Sequence, residues 1–173
     1  MDVDVKITKN VLSQKLLSRL HHLTRDGRQP SKTSYFHYSE AVVGMSNPIF
    51  QFDLEALDRE QLAEELLAKG VLPNKPKNWS AHINLFPRGA FIPWHNDGKY
   101  IYTTTIYLNP EWKYDWGGAH LYAQGEAPFE KISCVFPEHN VGISYKPPLW
   151  HTTTITAIDA RMRESLQIFV LEF

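Results

Sequence analysis

The sequence predicts a mostly β protein with flanking helices, a double-sheet jelly roll carrying an N-terminal helical buttress. Three observations lead there. From Trp79 onward the chain is a series of short stretches rich in Ile, Val, Thr, Tyr and Trp, broken by Gly, Pro and Asn. Ahead of them stand two segments whose apolar residues recur at helical spacing. No internal repeat or low-complexity tract points to another architecture.

At 173 residues, 43% hydrophobic and 13% aromatic, the chain is long and apolar enough to bury a sizeable core as one domain. Eighteen basic against nineteen acidic residues, a net charge of −1, favour neither nucleic acid nor an anionic membrane as partner. A single cysteine, Cys134, forbids an internal disulfide and suits a reducing compartment. The opening "MDVDVKITKN" lacks the pattern of a signal peptide, and no run is long enough to cross a bilayer, so a cytoplasmic protein is expected.

Taken in order, "VLSQKLLSRLHHL" reads as a helix capped by Asn10, with Leu12, Leu16, Leu20 and Leu23 on one face. "LDREQLAEELLAKG" reads as a second, with Asp58 as cap, Leu62, Leu66 and Leu67 inward, and Gly70 as stop. Residues 33–52, aromatic and irregular between them, take no assignment, and 34–50 are expected to form a lid. The expected division is 1–78 as helical support and possible lid, and 79–173 as the β core. Eight strands are expected in the core: "WSAHINLF", "AFIPWHND", "YTTTIYL", "AHLYA", "ISCVF", "VGISY", "WHTTTITAI" and "SLQIFVLEF". Cys134, inside an apolar stretch, is expected to be buried.

Chemistry concentrates at "PWHNDG". On a strand, residues two apart share a face, so His95 and Asp97 can reach one point while Asn96 turns away. A third ligand is available in His151, which opens the β-branched stretch after a Pro-Pro turn. Two histidines and one carboxylate form the facial triad that holds non-haem Fe(II) and leaves positions open; Zn(II) would also suit these donors. Ten and twelve residues after His151 stand Arg161 and Arg163. Either could grip the distal carboxylate of a co-substrate bidentately, and their shared parity cannot choose between them. The remaining histidines, His21, His22, His37, His82, His120 and His139, read as non-ligands, with His82 and His120 the ones expected to line the cavity.

"HND", "TIYLNPEW", "DWGGAHLY", "WH" and "RESLQIF" follow one another in an order and spacing that resembles the Fe(II)- and 2-oxoglutarate-dependent dioxygenases, in their prolyl 4-hydroxylase-like branch, over residues 79–173. The resemblance implies a double-stranded β-helix (cupin-like) with iron on His95, Asp97 and His151. It implies 2-oxoglutarate and O2 as co-substrates, with ascorbate a further candidate. It places the distal carboxylate on Arg163, with Arg161 as alternate, and gives Tyr107 a part in holding it. Where the family often carries a co-substrate-binding tyrosine, this chain has Phe86; Asn84, on the same strand face, is the candidate to compensate. The implied reaction is oxidation of 2-oxoglutarate to succinate and CO2, coupled to hydroxylation of an unactivated C–H bond. Its unknown prime substrate would be a peptide, a protein (a prolyl residue among the candidates) or a small molecule. Two alternatives remain: repair of alkylated nucleobases, which the neutral charge disfavours, and a non-catalytic cupin-like metal- or ligand-binding module.

Overall fold

Alternation of inward and outward side chains builds two antiparallel sheets whose inner faces meet. The computed structural model of the protein describes residues 4–25, 30, 32–34 (backbone only), 47–124 and 129–173. Its strands are β1 (Lys6–Lys9), β2 (Lys32–Ser34), β3 (Ile49–Asp53), β4 (Asn78–Phe86), β5 (Ile92–His95), β6 (Tyr102–Tyr107), β7 (His120–Gln124), β8 (Lys131–Val135), β9 (Val141–Tyr145), β10 (Trp150–Thr153) and β11 (Arg163–Glu172). Its helices are α1 (Gln14–Arg25) and α2 (Ala56–Ala68). The major sheet runs β1-β9-β6-β11-β4-β3-β2 and the minor sheet β5-β10-β7-β8. All eight strands expected from the sequence are present. The N-terminal segment does more than buttress the core, because it contributes β1, β2 and β3 to the major sheet. Residues 35–46, most of the expected lid, lie outside the described residues.

The outer face of the major sheet is the hydrophobic one. Leu166, Ile168 and Val170 of β11, Ala81, Ile83 and Leu85 of β4 and Ile106 of β6 join Leu16, Leu17, Leu20 and Leu23 of α1 and Leu62 and Leu66 of α2 in a single core. Each buried Leu or Ile contributes about 1.5–3 kcal/mol, which is what holds the helices on the sheet. The helix caps differ from the sequence reading. Ser13, not Asn10, caps α1: its Oγ accepts from the Leu16 N–H at 3.2 Å, and its own N–H and hydroxyl donate to Glu65 of α2 at 2.7 Å each. Asn10 instead takes a left-handed conformation, φ 52°, in the turn before the helix. Asp58 lies in the first turn of α2, whose N-cap is Glu55, and its buried carboxylate accepts from Arg19 Nε at 3.1 Å, tying the helices together. Gly70 does end α2, at φ 63°. Among the described residues no helix is long and apolar enough to cross a membrane.

The inner face of the major sheet is polar. Along β11 the residues alternating with the core set are Arg163, Ser165, Gln167 and Phe169. The register places Ser165 between Tyr107 of β6 and Asn84 of β4, and Arg163 opposite Phe86. Apolar plugs close part of the space between the sheets, with Tyr107, Val135, Val141, Ile143, Tyr145 and Leu149 in one and Ile49, Phe86, Ala90 and Ile92 in the other. Cys134 is exposed, against the sequence expectation: β8 is the edge of the minor sheet, and of its five residues only Val135 is buried.

Candidate metal and co-substrate site

His95 closes β5 and His151 is the second residue of β10, and the two are direct partners in the antiparallel ladder. Such pairing brings Cβ atoms within about 5.5 Å, and here the ring centroids stand 4.1 Å apart. Asp97 follows two residues after His95, where the chain turns away from the sheet. Its carboxylate reaches back to both rings: Oδ1 lies 3.9 Å from His95 Nε2 and Oδ2 3.6 Å from His151 Nε2. One ligand atom from each residue lies within 4.8 Å of the others. The separations are too long for direct hydrogen bonds and leave room for an ion between the donors.

The imidazoles are oriented for that task. His95 Nδ1 lies 2.8 Å from the Pro93 carbonyl and His151 Nδ1 2.8 Å from the Leu149 carbonyl. A carbonyl only accepts, so each Nδ1 carries the hydrogen and each Nε2 presents its lone pair toward Asp97. Burial, joined by the like charge of His95, lowers the His151 pKa to about 3; burial also lowers that of His95. Both rings are therefore neutral at physiological pH, with their Nε2 lone pairs free to take a cation. Burial pushes the Asp97 carboxyl the other way, upward, which is the cost of an acid in this place without a cation. Tyr145, from β9 of the major sheet, closes the cluster. Its hydroxyl lies 3.4 Å from Asp97 Oδ2 and 3.2 Å from His151 Nε2.

Deeper between the sheets lies Arg163, 1% exposed and among the largest fully buried side chains. Its guanidinium sits over the Phe86 ring at 4.5 Å and the Tyr107 ring at 5.1 Å, and donates from an Nη to Ser165 Oγ at 3.3 Å. No carboxylate pairs with it among the described residues. Arg161 is exposed, in the loop ahead of β11, with its guanidinium 5.9 Å from the Trp116 ring. The difference arises at Asn109, whose amide donates to the Met162 carbonyl at 2.9 Å and accepts from the Glu164 N–H at 2.6 Å. This clamp starts the strand at Arg163 and turns its side chain inward. Gly118 makes room for it, since a Cβ there would meet Arg163 Cδ at 2.7 Å. Phe86 supplies an aromatic face for the cation in place of a hydroxyl.

Four buried polar atoms border this space without a well-formed hydrogen bond: Asn84 Oδ1, Tyr107 Oη, His120 Nε2 and Arg163 Nε. Native interiors rarely leave such groups unpaired, and three of them beside the Arg's own Nε fit a polar anionic ligand. The donor set and these orphaned atoms thus suit Fe(II) with 2-oxoglutarate. Of the residues singled out in the sequence, His95, Asp97 and His151 converge, Arg163, Tyr107 and Asn84 face the same interior, and Arg161 does not. Sequence reasoning passed over Tyr145 and Asn109. The inward parity Tyr145 shares with Ile143 on β9 was a signal for the first; the Asn109 clamp joins residues far apart in the chain and left none.

Neither a protein-family model nor a curated protein matches the chain in sequence. Solved structures do match it in shape. A prolyl-4-hydroxylase of Pseudomonas putida superposes with a TM-score of 0.71 at 15% identity, over 99% of this chain and 94% of that one. A prolyl hydroxylase of Trichoplax adhaerens, in complex with a peptide fragment of hypoxia inducible factor, gives 0.70 at 15%, over 97% and 83%. A 2OG-Fe(II) oxygenase family oxidoreductase of Burkholderia pseudomallei gives 0.68 at 15%, over 95% and 84%. The fold is therefore the jelly roll that these oxygenases share, the fold class the sequence predicts.

Proposed function

We propose that the protein is an Fe(II)- and 2-oxoglutarate-dependent oxygenase that hydroxylates an unactivated C–H bond. The observation that carries this reading is Arg163, a fully buried cation without an acidic partner among the described residues, behind a converging His-Asp-His set. A charge so placed is costly unless an anion resides there, and a dicarboxylate that also chelates a metal answers both halves of the site.

In this reading His95, Asp97 and His151 hold the metal. Arg163 pairs with the distal carboxylate, and the Tyr107 hydroxyl and Asn84 carboxamide are positioned to complete its hydrogen bonds. When bound there, Fe(II) would supply the O2 chemistry that couples conversion of 2-oxoglutarate to succinate and CO2 with hydroxylation of a C–H bond, one oxygen atom going to each product. The chain's own part is orientation and exclusion of water. The Nδ1 bonds to Pro93 and Leu149 fix the ligand rings. The apolar plugs around Phe86 and Tyr107 dry the inner end.

Beside Asp97 the wall is aromatic. Tyr100 stacks on Phe169 at 4.6 Å, and His82 lies 5.5 Å from Phe169. A flat apolar surface next to the metal suits an aliphatic ring, and the similar Trichoplax protein holds a peptide. A prolyl residue of a peptide or protein is therefore the leading prime substrate. The exposed thiol of Cys134 suits a reducing, cytoplasmic setting.

The test is succinate formation from 2-oxoglutarate by the Fe(II)-loaded protein, with Asp97→Ala as control. Even without prime substrate, slow uncoupled turnover in the parent and none in the variant is the expected result. Equal rates in the two would refute the assignment.

A further inference from the structure

Among the described residues, one imidazole on the inner faces has no task in the reading above. His120 opens β7, is 3% exposed, and its Nε2 is buried without a hydrogen-bond partner. It is not one of the three residues whose ligand atoms converge for a metal. Its place in the strand is informative. Gly118, two residues earlier, leaves the room that the Arg163 stem fills, while Tyr122, two residues later, is the ladder partner of His151. Within the strand residues two apart share a face, so His120 and Tyr122 lie on the side that His151 occupies. Gly118 stands just ahead of the strand, so the chain passes from the Arg163 stem to His120 and on to a metal ligand. The His120 ring stacks on that ligand, with 5.0 Å between centroids and 18° between planes.

A ring needed only to brace His151 would gain nothing from a buried nitrogen. Phenylalanine or leucine would fill the space without leaving a polar atom unpaired. The unpartnered Nε2 separates the two roles. Building on the proposed function, we infer that His120 is a co-substrate-binding residue that hydrogen-bonds the bound dicarboxylate through Nε2, between its arginine-bound and metal-bound ends. It would hold the co-substrate in register between the two anchors.

The experiment uses the full chain loaded with Mn(II), a redox-inert stand-in, and measures 2-oxoglutarate binding by calorimetry. Mn(II) affinity is followed separately by paramagnetic resonance. His120→Leu is expected to weaken 2-oxoglutarate about 10- to 100-fold, the effect of one hydrogen bond to a charged group. Mn(II) affinity should stay unchanged, and His120→Gln, which retains a donor, should recover most of the loss. Equal 2-oxoglutarate affinity in parent and His120→Leu would overturn the inference and leave the proposed function standing. So would a loss that His120→Gln does not restore, which would assign the effect to ring shape. Loss of Mn(II) affinity in both variants would make His120 a brace for His151 and overturn it too. Failure of the Mn(II)-loaded parent itself to bind 2-oxoglutarate would instead overturn the proposed function, and this inference with it.

Discussion

Replacing Arg163 by methionine should make the ligand-free protein more stable while removing its co-substrate. The guanidinium is 1% exposed and has two aromatic faces, one 3.3 Å hydrogen bond and the nearby Tyr107 hydroxyl for company. The aromatic contacts supply about 0.5–2 kcal/mol each. Against that stand several kcal/mol for removing a cation from water and about 1–3 kcal/mol for the orphaned Nε. Methionine keeps the length of the stem and none of the charge. Even buried ion pairs are replaced by apolar residues of similar volume at no cost or with a gain of about 1–4 kcal/mol, and a cation without an acidic partner should gain at least as much. In a chain of this size each kcal/mol moves the Tm by about 2–4 °C. Binding should change in the opposite sense, because truncating one partner of a buried charge pair costs about 2–5 kcal/mol, or about 30-fold to several thousand-fold in affinity. The assay is thermal unfolding of parent and Arg163→Met, each with Mn(II), with and without 2-oxoglutarate. Ligand at 100 times Kd should add about 2.7 kcal/mol to the parent and nothing measurable to the variant. A variant that is less stable without ligand, or that keeps the full ligand-induced shift, would refute the view that Arg163 is a cation held for an anion.

Three further outcomes follow from the same geometry. Gly118→Ala combines a left-handed φ of 65° with a Cβ placed 2.7 Å from Arg163 Cδ; it should weaken 2-oxoglutarate binding at least 10-fold in calorimetry and spare Mn(II), since the triad is untouched. Asn140→Ala removes two buried 2.8 Å hydrogen bonds to the Leu12 backbone and strands both of its groups, so urea unfolding should show a loss of about 2–4 kcal/mol. The metal-free protein should weaken in acid. With a folded pKa of about 3 against 6.5, His151 stays neutral while the unfolded chain takes up a proton, so its share of stability is complete above pH 6.5. That share is lost as pH falls from 6.5 toward 3, at up to about 1.4 kcal/mol per pH unit for this ring, and saturating Mn(II) should deepen the loss because protons then compete with the ion. Unfolding free energies between pH 7 and 5 with and without Mn(II) check this, and a flat metal-free profile would contradict it.

The strands most plainly legible in the sequence are those buried on both faces, although the edge strand β8 was also read from its apolar run. β6, β9 and β11 are runs of β-branched and aromatic residues because one face meets the helices and the other meets the minor sheet. β1 was missed because it is an edge strand, "KITK", with little to bury. β3 was missed because "IFQFD" alternates too briefly between apolar and polar faces to stand out from the aromatic run before it. β10 was expected to continue through Ile158 but ends at Thr153. Beyond it the Thr154 hydroxyl accepts the Ala119 N–H at 2.9 Å, a side chain standing in for the ladder. The triad was legible because strand parity and direct cross-strand pairing are local rules, which His95 and His151 obey. The choice between Arg161 and Arg163 was not, because parity is the same for both. Asn109, from another strand end, separates them physically. His120 could be read as cavity-lining, but its position on the way from Arg163 to His151 needs the register of three strands.

The most direct measurement is the visible spectrum of the protein without oxygen, as Fe(II) and then 2-oxoglutarate are added. The account predicts a weak charge-transfer band that appears only with both additions and is absent in His95→Ala. Folded, iron-bound protein that shows no band with saturating 2-oxoglutarate would contradict it. The buried arginine and the His-Asp-His set would then serve some other metal and anion.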